Sequence, residues 1–209
     1  MSLKLDLRTL LYAYAQGYFP MPHPETQEIQ WYYPDPRAVI PLDHFHASRS
    51  LRRAIRQGGY RISTDHAFAA VMEGCADRSD TWINAEFKRA YGALHARGVG
   101  HSLEVWQDTQ MVGGVYGLAL GGAFFAESMF HRVTNASKIA LFHLVQCLRQ
   151  GGFTLLEVQF LTPHLASLGA REVPAADYMD QLRLALQVNA HFPQISPPEF
   201  PSPNPDSAL

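Results

Sequence analysis

Apolar residues recur every three or four positions in the first hundred residues and change to strand-like runs from His101 onward. Leu7, Leu10, Leu11 and Tyr14 predict a helix over 6–16, ended by Gly17. The Pro- and aromatic-rich stretch YFPMPHPETQEIQWYYPDPRAVIPLD predicts a turn-rich layer, with short strands near 29–33 and 38–40. Ser48 is placed to cap a helix over 49–57, which Gly58 and Gly59 stop. A strand over 60–63 follows, then helices over 67–76, capped by Asp65, and 84–97. Runs over 102–106, 111–120 and 123–130, joined by short turns, predict an antiparallel meander. Gly113 and Gly114 mark a bulge in its middle strand. A helix over 137–150, a strand over 155–160, a short helix near 164–168 and a last helix near 177–188 complete the pattern.

Helix, meander, helix, strand is the layout of an α+β acyltransferase-like core with a mainly antiparallel sheet. We divide the chain into a small N-terminal α/β subdomain with a basic helix (1–60), a catalytic domain (61–190) and a Pro-rich loose tail (191–209).

Polar residues inside the apolar strands change the picture most. Glu127 interrupts the run GGAFFAESMF, and an ionisable group there costs several kcal/mol unless it is paired or used. The strand LLEVQF repeats the feature: Glu157 and Gln159 share one face while Leu156, Val158 and Phe160 take the other. Two neighbouring strands carrying these groups inward make a polar pocket in an apolar wall. Glu127 either selects a cationic ligand or is a structural acid, bonded by backbone amides or by the turn at Asn135 and Ser137.

Arg49, Arg52, Arg53 and Arg56 fall on one helix face, with Arg61 close behind. Like charges at this spacing repel one another, so we read a phosphate-binding stripe rather than a plain solvated face. The 209 residues carry a net charge of −2, which gives no global pull toward nucleic acid and leaves any such affinity to this patch. With 47% hydrophobic and 17% charged residues, the composition is that of a soluble globular protein. No apolar run reaches the roughly 20 residues of a membrane span, and no signal peptide is evident. Cys75 and Cys147 stand alone in helix-like contexts, and His44 and His46 lack further ligands, so we expect neither disulfide nor metal.

The motifs AYAQGYFP (13–20), PDPRAVIPLD (34–43), FHASRSLRR (45–53), TWI (81–83), HSLEVW (101–106), MVGGVYG (111–117), ESMFHRVTNASKIAL (127–141) and HLASLGA (164–170) together resemble the bacterial leucyl/phenylalanyl-tRNA–protein transferase family. The resemblance spans about residues 10–180. It implies a GNAT-like catalytic domain, no cofactor and a cytoplasmic location. It also implies transfer of Leu or Phe from aminoacyl-tRNA to the N-terminal amine of proteins beginning with Arg or Lys, which marks them for degradation.

Carried over by position, Gln159 assists the attacking amine; on the strand geometry Glu157, on the same face, is placed to polarise the amide or draw the proton. Glu127 is the pocket glutamate, and Trp82 helps hold the terminal adenosine. Phe125, Met129, Phe130, Asn135 and Ser137 complete the expected substrate-binding set, and Arg49, Arg52, Arg53 and Arg56 the tRNA-binding set. Three positions depart from the family pattern: Glu157 replaces the usual Asp, Thr162 an Asn of some members, and Met21 a second adenosine-stacking Trp. The alternative is an acyl-CoA N-acyltransferase. The segment Arg132–Ser137 lacks the two glycines that let a backbone approach a pyrophosphate, which counts against it.

Overall fold

A computed structural model describes residues 5–23, 25–26, 28–79 and 81–196. Helix α1 (Leu7–Ala15) starts where the Asp6 carboxylate accepts the Thr9 N–H at 2.9 Å. Strands β1 (Phe19–Pro22) and β2 (Ile29–Tyr32) form a separate antiparallel ribbon. After β3 (Arg37–Val39) comes the arginine-rich helix α2 (Arg49–Gln57), capped as expected by Ser48, whose hydroxyl accepts the Leu51 N–H at 3.2 Å. Then follow β4 (Arg61–Thr64), α3 (Phe68–Ala76) and α4 (Ala85–His95). The meander comprises β5 (Gly100–Gln107), β6 (Gln110–Leu120) and β7 (Ala123–His131). Helix α5 (Ala136–Gln150), strand β8 (Leu155–Gln159), helix α6 (Pro163–Ala166), strand β9 (Arg171–Val173) and helix α7 (Ala175–Ala185) close the chain.

The main sheet runs β4-β5-β6-β7-β8-β3-β9. Every pair in it is antiparallel except β7 with β8, and that parallel pair is why α5 must cross between them. The fold is therefore the α+β, mainly antiparallel acyltransferase-like layout. Side chains alternate across the sheet into two apolar layers. Phe125 and Phe130 face α1, α3, α4 and α7, while Phe124, Val115 and Val158 face α5 and α2.

The division at residue 60 needs correction. Strand β3 lies inside the main sheet between β8 and β9, and Tyr14 of α1 shares a core with Phe87 and Tyr91 of α4. The parallel pairing leaves β8 with an open edge, and the three residues of β3 fill it. The tail also differs from expectation over 191–196. The ring of Phe192 stacks on His101 and Phe124 with centroids 4.5 and 5.6 Å apart, and the Ile195 N–H donates to Thr64 Oγ1 at 2.8 Å. The rest of the expected tail, 197–209, lies outside the described residues. Asp65 does not cap α3; its carboxylate accepts the Ser102 N–H at 2.9 Å and meets His101 Nδ1 at 2.8 Å. The buried carboxylate of Glu104 approaches the start of α3 instead, 3.4 Å from the Ala67 nitrogen.

The meander carries two irregularities rather than one. Between β5 and β6, Val105 pairs with Gly113 and Trp106 with Met111, so Val112 is the extra residue beside the expected glycines. Between β6 and β7, Tyr116 pairs with Ser128 and Gly117 with Ala126, which leaves Glu127 without a partner. A bulge turns a side chain off the regular alternation. Gly117 permits this one, because a Cβ there would collide with the Phe125 carbonyl oxygen.

Candidate active site

The bulge aims Glu127 into the layer beneath the sheet, where only 6% of the residue is exposed. The Tyr14 hydroxyl donates to Oε1 at 2.6 Å, the Tyr91 hydroxyl to Oε2 at 3.1 Å, and the two tyrosine oxygens lie 2.6 Å apart. Gln159 Nε2 donates to Oε2 at 3.3 Å. Burial pushes the Glu127 carboxyl up to about 8, helped by the nearby charge of Glu157 and opposed by the hydrogen bonds from Tyr14, Tyr91 and Gln159. Burial, followed by the Glu127 charge, raises both tyrosines, so they stay protonated donors. Three short contacts link the two tyrosines and the carboxyl. An ionised Glu127 leaves two hydroxyl protons for them, whereas the neutral acid supplies a third. Proton count and burial thus favour the same state.

Gln159 ends β8 at a φ of 63°, left-handed for a residue with a Cβ. The strand alternation stops there. Phe160 accordingly leaves the Val158 face and packs edge-on against Phe19 at 5.7 Å, 44% exposed. The amide nitrogen of Gln159 faces Glu127, so its oxygen is left to accept from a ligand.

Burial keeps Glu157 from a ligand, although its Oε2 has no hydrogen-bond partner among the described residues. It is fully buried, and its Oε1 accepts from Arg37 Nη1 at 3.0 Å and from the Gln159 backbone N–H at 2.8 Å. Burial raises its carboxyl against the pull of Arg37. The expected contact between Glu157 and the side-chain amide of Gln159 is corrected accordingly: the acid holds the backbone of that residue.

Glu127 and Gln159 share a cavity of about 90 Å³ with Val115, Ala126, Ser128, Met129, Leu141, Val158 and Leu165. Among the expected apolar residues, Met129 lines it. Phe125 does not: it is 1% exposed and packs edge-on against Tyr14 at 5.0 Å. Phe130 is likewise core, its ring filling the space that a side chain at Gly74 would need.

The turn expected to bond Glu127 lies elsewhere. Asn135 starts α5 at a φ of 70° without a side-chain cap bond, and Ser137 Oγ lies 3.5 Å from His131 Nδ1. Tyrosines replace it as partners, since α1 and α4 bring phenols up to the sheet. The sequence signal for them was a tyrosine on each apolar helix face, whose hydroxyl must find a partner when buried.

Trp82 is half-buried against Phe87, with ring centroids 5.1 Å apart. Its neighbours Thr81 and Ile83 line an open groove of about 420 Å³ with Arg132 and Lys88. A second open groove of about 460 Å³, between Val39–Asp43 and Arg149, is larger than the Glu127 cavity but holds none of its convergent groups. Arg49, Arg52, Arg53 and Arg56 are exposed along α2 and make no ion pair among the described residues. Cys75 and Cys147 are buried thiols, pushed up by burial to about 12 and 11, which makes them poor nucleophiles. No three His, Cys, Asp or Glu side chains among the described residues are grouped to hold a metal ion. No helix of the described residues is long and apolar enough to cross a membrane.

An acyltransferase-like sheet with a carboxyl and an amide meeting at an apolar cavity marks an enzyme of the acyl-transfer class. The profile described as leucyl/phenylalanyl-tRNA protein transferase matches residues 39–183, and that of its N-terminal domain matches residues 4–35. The chain belongs to the leucyl/phenylalanyl-tRNA–protein transferase family. A relative of that name from Ruegeria pomeroyi is 56% identical over 191 residues, 91% of this chain and 91% of its own. Another, from Herpetosiphon aurantiacus, is 52% identical over 193 residues, 92% of this chain and all of its own. The crystal structure of FemX is similar with a TM-score of 0.52 and 12% identity, over 79% of this chain and 66% of that one. At that identity the likeness concerns the fold alone.

Proposed function

We propose that this enzyme moves leucine or phenylalanine from its tRNA to the N-terminal amine of proteins that begin with Arg or Lys. The product is marked for degradation, and the reaction belongs to the cytoplasm, where charged tRNA is held. The meeting of Glu127 and Gln159 at one apolar cavity carries this reading. The apolar side chain of the donor enters beside Met129, Leu141 and Leu165. The neutral amine of the acceptor attacks the ester carbonyl. A C–N bond forms, the ester C–O bond breaks, and the amine proton leaves with the ribose hydroxyl. Gln159 orients the amine through its amide oxygen, and Glu127 fixes that amide by accepting from its nitrogen. Positioning of this kind supplies up to about 7–11 kcal/mol of a barrier in ideal cases.

Trp82 stacks the terminal adenosine beside the groove of Arg132, and the α2 arginines hold tRNA phosphates without reading bases. The carboxyl of Glu127 is occupied by two tyrosines and an amide, which favours the structural-anchor role over direct capture of a cationic side chain. The family resemblance alone supports the Arg or Lys preference of the acceptor.

The test offers labelled Leu-tRNA or Phe-tRNA together with peptides that begin with Arg, Lys or Ala. Label on the Arg and Lys peptides is the expected result. Equal labelling of the Ala peptide would remove the acceptor preference, and acetyl-CoA consumption without labelling would replace the whole reading.

A further inference from the structure

Among the described residues no arginine or lysine other than Arg37 is buried, and it is 1% exposed. A guanidinium taken out of water needs compensation, and Arg37 finds it in a cage. Its Cζ lies 5.1, 5.9 and 4.5 Å from the ring centroids of Phe19, Tyr33 and Tyr178. Nη2 donates to the Gly17 carbonyl, just past the end of the helix that carries Tyr14. Nη1 donates to Glu157 Oε1 at 3.0 Å, the same oxygen that accepts the Gln159 backbone N–H. Ala38, the next residue in β3, pairs directly with Gln159 across the sheet.

One cation thus touches both supports of the Glu127–Gln159 contact. On one side it ties down the turn after α1, whose Tyr14 bonds Oε1 of Glu127. On the other it fixes the carboxylate that holds Gln159 in a left-handed backbone. Such a conformation persists in a residue with a Cβ only where its surroundings enforce it.

We propose that Arg37, acting through Glu157, is a positioning residue that sets the backbone of Gln159 and so the aim of its amide. Glu157 serves as an acceptor for that backbone N–H and takes no proton from the reaction. This rests on the reading of Gln159 given under Proposed function.

The obvious catalytic alternative makes Glu157 the proton acceptor, and the two roles separate by substitution. Glu157→Gln keeps an oxygen for the Gln159 N–H and removes the charge. Glu157→Leu removes both. Arg37→Met removes the holder, and Arg37→Met with Glu157→Gln removes the holder without leaving a buried unpaired carboxylate.

We expect Glu157→Leu and Arg37→Met to lower kcat about 100-fold, the scale of a 1 Å misplacement, with KM for aminoacyl-tRNA little changed. Glu157→Gln should lose at least tenfold less kcat than Glu157→Leu and keep the shape of the pH–rate profile. The double variant should exceed Arg37→Met alone. Hydrogen exchange of the Gln159 amide, followed in Gln-labelled protein by NMR, provides a readout independent of turnover. Protection should survive in Glu157→Gln and fall in Glu157→Leu and Arg37→Met.

If Glu157→Gln is as inactive as Glu157→Leu, loses a limb of the pH profile and still protects the Gln159 amide, Glu157 acts by its charge and the proposal is overturned. If Arg37→Met fails to fold, the two Glu157 variants still decide between the roles. Full activity of Gln159→Ala would instead remove the underlying reading, a result distinct from either outcome at Glu157.

Discussion

Replacing Glu127 by Gln should abolish a pH dependence of stability that the native enzyme carries. The carboxyl titrates near 4.5 when exposed and is pushed up to about 8 in the folded protein, because its charged form is buried. Between those values the folded state binds a proton that the unfolded state has released. Stability from this group is therefore present below about pH 4.5 and is lost as pH rises toward 8. The slope is about 1.4 kcal/mol per pH unit, and the whole window amounts to at most about 5 kcal/mol.

Gln keeps an oxygen to accept from one tyrosine and an NH₂ to donate to the other, so the three-cornered contact with Tyr14 and Tyr91 survives without a titrating proton. Urea unfolding followed from pH 5 to pH 8.5 measures the difference. With a urea slope of about 2 kcal/mol per molar, the midpoint of the native enzyme should fall relative to the variant by roughly 0.7 M per pH unit. His143 and His164, both lowered by burial, titrate in both proteins and cancel in the comparison, whereas Glu157, also raised by burial, interacts with Glu127 by charge and shares in the difference. Parallel midpoints across that range would show that Glu127 is ionised throughout, and would refute the proton-sharing account of the tyrosine pair.

The tRNA side and the scaffold make separable predictions. Gln159→Ala should cut kcat while the Kd for aminoacyl-tRNA, read by filter binding, stays within about twofold, since the residue touches only the reacting end. Reversing Arg52 and Arg53 to Glu should weaken tRNA binding and flatten its dependence on salt, which a titration at several ionic strengths reads directly. A loss that is the same at every salt concentration would point to misfolding. Trp82→Ala should weaken binding of an adenosine-ended acceptor stem by about 1–3 kcal/mol, measured by calorimetry. Gly117→Val should lower Tm through strain at the Glu127 bulge, and an unchanged Tm by scanning calorimetry would mean the bulge can relax.

Much of the architecture was legible because local signals agreed with the sheet. Ser48 announced α2, and the period-two runs from His101 marked the meander. Strand β3 was expected one residue late, near 38–40, whereas β1 was caught only as part of the turn-rich layer and the three residues of β9, too short for periodicity to show, were missed. The place of β3 inside the sheet depends on an edge left open by the parallel pairing of β7 with β8, and Glu157 of β8 lies 120 residues beyond Arg37 of β3.

In the site, Glu127 and Gln159 stood out as polar residues in apolar strands. Their neighbours did not, because a bulge and a left-handed residue break the alternation on which face assignments rest. Hence Phe125 and Phe130, expected in the pocket, are core residues in the structure, and Phe160 leaves the face that alternation assigns it. Tyr14 and Tyr91 reach Glu127 from helices 113 and 36 residues away.

The central claim is that donor and acceptor meet where the Glu127 carboxyl holds the Gln159 amide. A crystal structure with a puromycin-like aminoacyl-adenosine, its ester replaced by a stable amide, tests it most directly. The account predicts an aminoacyl side chain enclosed by Met129, Leu141 and Leu165, with its carbonyl within hydrogen-bonding range of an amine seated on the Gln159 oxygen. An aminoacyl group bound in either of the larger open grooves, with the Glu127 cavity closed, would contradict it.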